Sequence, residues 1–128
     1  MESVLSFQKI WEDEHLIELS IRAISKNISC NIDVYVDSTM INDLIEGLSC
    51  FVNHQQTFEW IVSDKSDQTS NYFFLRPYFY NKSMHIALEI EMIEKTSGVD
   101  QYKANFYLRT EMSYIDELIR KLTYLTSE

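Results

Sequence analysis

Three histidines, two cysteines and twenty carboxylates are the groups of this chain best suited to chemistry. His15, His54 and His85 stand singly, so none offers the short, recurrent ligand spacing of a zinc site. Cys50 and His54 are four residues apart, which on a helix sets a thiol beside an imidazole. Cys50 is followed at once by Phe51 and Val52 on a segment that must bury one side, so a core thiol is the expectation there. His85, Glu89 and Glu91 share one face of a strand, from which an acid–base group could be assembled. A half-solvated sheet carries the same residues on its polar face, and that is how they are read. The run Glu12-Asp13-Glu14 could hold a cation, but adjacent acids in a turn are ordinarily solvated. With only Gly47 and Gly98 in the chain, neither a phosphate-cradling loop nor a nucleophile elbow can be written. No catalytic or metal motif results, and the chain is expected to be non-enzymatic and to need no cofactor.

The elements that position these groups follow from periodicity. Alternation marks strands around 4–11, 16–25, 28–36, 56–63, 71–80, 83–94 and 102–110, with Lys26-Asn27 turning a hairpin. In 37–54 the period lengthens: Ile41, Leu44, Ile45, Leu48 and Val52 form a helical stripe, and Asp37 or Ser38 can cap it. Gly47 inside that helix implies a close approach to another element, since it costs on the order of 1 kcal/mol against alanine. At the end of the chain, Ser113 and Asp116 resemble a capping box before the stripe Ile115, Leu118, Ile119, Leu122. On the 83–94 strand, Met84, Ile86, Leu88, Ile90 and Met92 are expected inside, and Glu89 and Glu91 are expected to pair with Lys103 or Arg109 across the sheet. The run "NYFFLRPYFY" is apolar on both faces and so reads as a central strand, yet Pro77 asks for an edge or a bulge. The fold expected is one α+β domain over residues 1–128: a mostly antiparallel sheet of six to seven strands, with helices after the third strand and at the C-terminus packed on one face.

At 128 residues the chain buries roughly 68% of its extended surface and needs no staple, so Cys30 and Cys50 are expected as buried free thiols. The N-terminal stretch does not read as a secretory signal, and no apolar run reaches a membrane span, so a cytoplasmic location is expected. A net charge of −9 repels phosphate backbones and anionic membranes. The excess is lopsided: residues 1–60 carry ten acids and three bases, net −7, while residues 61–128 carry ten acids and eight bases, net −2. Such asymmetry serves solubility on one reading and steers a basic protein partner on the other.

The segments "HLIELSIRA", "DVYVD", "HIALEIEM" and above all "FYLRTEMSYIDELIRKL" are together similar to small acidic bacterial immunity proteins of polymorphic toxin systems. The resemblance covers about residues 14–125 and implies neutralisation of a cognate toxin, a basic protein, by direct binding. On that reading the contacts would come from Glu12, Asp13, Glu14 and Glu18, from Asp43 and Glu46 on the first helix, and from Tyr35, Tyr107 or Trp11 as aromatic anchors. The alternative is a small-molecule-binding module or enzyme using an aromatic-lined sheet cleft near His85, Glu89 and Glu91. Both a monomer and a homodimer fit the sequence.

Overall fold

The computed structural model describes residues 3–126. Among these residues the chain runs β1 (Val4–Glu12), β2 (Ile17–Ile24), β3 (Ser29–Val36), α1 (Ser38–His54), β4 (Trp60–Val62), β5 (Tyr72–Phe79), β6 (Ile86–Glu94), β7 (Tyr102–Thr110) and α2 (Met112–Thr126). It is an α+β fold whose strands divide into two antiparallel sheets, β1-β2-β3 and β4-β5-β6-β7. A physical reason for the division lies at β3. Its outer edge is met by side chains instead of a strand: Asn71 Nδ2 donates to Asp33 O at 2.8 Å, and the Tyr102 hydroxyl donates to Asn31 O.

One core joins both sheets and both helices. Leu19, Ile21, Ile32 and Val34 turn inward from the first sheet, Phe73, Leu75, Leu88 and Ile90 from the second, and Leu44, Leu48, Ile115 and Leu118 from the helices; all are buried. Each such side chain contributes about 1.5–3 kcal/mol on burial. The rings of Phe7, Trp60 and Phe73 meet edge to face at 5.9–6.4 Å, and the Trp60 indole N–H is satisfied by Met40 O at 2.9 Å. Asp37 caps α1, its carboxylate accepting from Met40 N at 2.8 Å. The Tyr114 hydroxyl pins α2 to β1, donating to Leu5 O at 2.8 Å and accepting from Leu5 N at 2.9 Å.

Several local expectations are corrected. Residues 55–59 are not a strand, and β4 is only Trp60–Val62. The approach that requires Gly47 comes from this irregular segment: a Cβ at position 47 would lie 2.0 Å from the Phe58 ring. The short β4 also reconciles the two cues in β5. That strand is central, but β4 reaches only as far as Leu75, so Pro77 pairs with Leu88 on one side and has no ladder neighbour on the other. Met84 is not inward; it sits in the turn before β6 with φ 65° and is partly exposed. Ser113 lies inside the first turn of α2, which begins at Met112. Cys30 and Cys50 are free but only half-buried.

β1 carries a register shift. Lys9 faces Leu19, whereas Trp11 faces Glu18, leaving Ile10 as an extra residue between them.

Candidate functional site

The bulge decides what the far end of the first sheet displays. Before it, Leu5, Phe7 and Lys9 share the inner side; after it, Trp11 lies on the outer side, in one row with Glu18 and Tyr35. The Trp11 and Tyr35 rings meet edge to face at 6.4 Å across that row, and they are 47% and 56% exposed. Exposed rings of this size are unusual in a solvated face and are typical anchors of an interface. Among the described residues no ion pair reaches Glu18 or Asp33.

The turn after β1 continues this corner. Asp13 Oδ1 accepts from Leu16 N and His15 N, both at 2.8 Å, and these bonds hold its carboxyl below the usual range. Asp13 therefore builds the turn as well as charging it. Glu14 is exposed beside it, 4.0 Å from the His15 ring. Ile10 and Leu16 add exposed apolar surface, at 46% and 43%, which the sequence reading had not singled out.

Glu12 belongs to the same stretch but not to the same surface. Past the bulge it pairs with Ile17 on the inner side and meets the Lys9 ammonium at 3.0 Å. Asp43 and Glu46 are elsewhere, on α1, lining a shallow groove of about 270 Å³ with Gly47 and Phe58. Of the nine acidic and aromatic residues expected as contacts, the structure gathers Asp13, Glu14, Glu18, Tyr35 and Trp11 at one corner. Tyr107 lies on the outer face of the other sheet.

Beside Tyr35 an open groove of about 670 Å³ runs along the seam between the sheets, and its walls include Glu18, Asp33 and Glu94 but no lysine or arginine. Glu94 is partly desolvated, yet hydrogen bonds from Ser97 and Thr96 hold its pKa below the ordinary value. At the seam, burial first and then neighbouring Cys30, Glu94 and Asp33 push Tyr102 up to about 12, and its hydroxyl donates to Asn31 O.

The second sheet treats its acids differently. Glu89 Oε1 accepts from Arg76 Nε at 2.8 Å, and Glu91 meets Lys65 Nζ at 3.0 Å. The expected partners on β7 are not used. His85 precedes β6, contacts Asn81 Nδ2 through Nδ1 at 2.9 Å and stacks on Tyr80. His85, Glu89 and Glu91 each have their own neighbour and form no joint constellation. Cys50 and His54 make no contact that would activate a thiol. Among the described residues, no group of three or more His, Cys, Asp or Glu side chains could hold a metal ion, and no helix is long and apolar enough to cross a membrane.

The chain matches no protein-family model, no curated protein and no solved structure.

Proposed function

We propose that this chain is a non-enzymatic binding protein that neutralises a basic protein, as an immunity protein neutralises its cognate toxin, through the corner formed by Trp11, Glu18 and Tyr35. The observation that carries the reading is the unpaired Glu18 carboxylate between two exposed rings, in a molecule of net charge −9. An arginine or lysine brought there gains a charge-assisted hydrogen bond and packs against exposed aromatic surface. Asp13, Glu14 and the acidic seam groove extend the negative field that guides the approach. Asp43 and Glu46, on the exposed side of α1, add to the long-range field without sharing the contact.

The test is association with the proteins encoded beside this chain's gene, a toxin-like one being the expected binder, followed by stopped-flow at rising ionic strength. The association rate should fall steeply as salt is added, because exposed charges are screened over about 10 Å at 0.1 M. A rate that stays flat, or binding by none of the neighbouring proteins, removes the proposal.

A further inference from the structure

Both helices pack against the inner faces of the sheets, so the outer face of the second sheet has no layer of secondary structure over it. One end is roofed by the 64–70 loop, with Lys65 Nζ 5.5 Å from the centre of the Tyr72 ring. The remainder shows Ile61, Arg76, Tyr78, Glu89, Tyr107 and Arg109, of which Ile61 is 47% and Tyr107 56% exposed. Tyr78 is held between two of them, edge to face with Tyr107 at 6.3 Å and beneath the Arg76 guanidinium at 4.6 Å.

We propose that this face is where two copies of the chain meet, packed sheet on sheet about a two-fold axis. Charge selects a second copy as the occupant. Two molecules of charge −9 repel over most of their surface. Here Lys65, Arg76, Lys103 and Arg109 stand among Glu89 and Glu91, so both signs are present and approach costs least. The signs are also sorted by strand: acids on β6, bases on β7. A two-fold axis running along the strands between β6 and β7 sets β7 of each copy over β6 of the other, with Tyr107 over Glu89 and with Arg109 and Lys103 two residues along from Glu89 and Glu91, within diagonal reach. Tyr107 then enters the centre of the contact. An isologous patch of this kind is self-complementary.

Edge-to-edge pairing of β7 is the rival arrangement, and the sequence disfavours it. In the antiparallel register that pairs the whole strand, Lys103 falls opposite Arg109, and directly opposed like charges destabilise a ladder. Strands spaced about 4.8 Å apart and about 3.3 Å per residue give this face roughly 500 Å² in projection. That is below the roughly 800 Å² per partner of a standard interface, so the dimer is weak and concentration-dependent.

The experiment is sedimentation velocity of the full chain over a dilution series. The mass should rise with concentration from 15.2 kDa towards twice that value. Tyr107→Glu should abolish the rise, as should Arg109→Glu, while Trp11→Ala leaves it unchanged. Circular dichroism checks that each variant is folded, and both positions are exposed enough to accept the change. A monomer at every concentration, a dimer that survives both substitutions, or a dimer lost with Trp11→Ala overturns the proposal. None of these outcomes bears on partner binding by the acidic corner, which lies on the other sheet.

Discussion

The outer faces of the two sheets use the same materials in different states. On the second sheet, Glu89 and Glu91 each meet a cation, Tyr78 lies under Arg76, and one end is roofed by a loop. On the first sheet, among the described residues, Glu18 and Asp33 have no cation, and Trp11 and Tyr35 touch only each other among the aromatic rings. A carboxylate already paired attracts an incoming charge less than an unpaired one does. The difference separates acids engaged within the fold from acids available to a basic partner.

Substitutions can break that comparison, and the largest effect should come from Trp11→Ala. If the first sheet's corner is the contact, losing this anchor weakens partner binding about 30-fold, corresponding to about 2 kcal/mol for an interface hot spot. Its melting temperature should barely move, since the ring is already half in water. Calorimetric titration beside thermal unfolding measures both, and unchanged affinity would move the contact elsewhere.

On the second sheet the expected effects are on stability. The Lys95 ammonium donates to Asp64 O at 3.0 Å, Lys65 O at 3.2 Å and Asp67 O, and so fastens the 64–70 loop. Lys95→Met should cost about 2 kcal/mol in denaturant unfolding, because three carbonyls lose a charged donor. Amide exchange should rise within 64–70 first. Exchange unchanged in that loop would show that Lys95 does not hold it.

The smallest effect sharpens the comparison most. Arg76→Met removes an ion pair and a cation–π contact, and should cost about 1 kcal/mol. Glu18→Gln removes a charge that pairs with no cation among the described residues, so its stability should stay within about 0.5 kcal/mol of the parent. Equal losses in the two variants would erase the distinction between the sheets.

Much of this was legible in the sequence, because strands and helices announce themselves by period. The inward rows Ile17-Leu19-Ile21-Ala23 and Ile32-Val34-Val36, the α1 stripe and its Asp37 cap all follow from spacing alone. What could not be read depends on partners distant in the chain. The Lys95 hub uses backbone carbonyls, which have no residue signature. Gly47 signalled that something comes close, but only the fold names Phe58. The division into two sheets rests on Asn71 and Tyr102 reaching β3 from 38 and 71 residues away. Within the candidate site, charge and exposure pointed to the acids of 12–18 as one group, yet Glu12 lies on the inner side. One extra residue in β1 reverses the alternation there, and no local pattern marks it.

That single residue has a consequence for how this protein can vary. Were Ile10 drawn into the ladder opposite Glu18, strict parity along β1 would carry the indole of Trp11 to the helix side and turn Glu12 outward. Exchanging amino acids changes what the corner is made of; whether one residue stands inside or outside the ladder decides which half of the chain's chemistry the outside world meets.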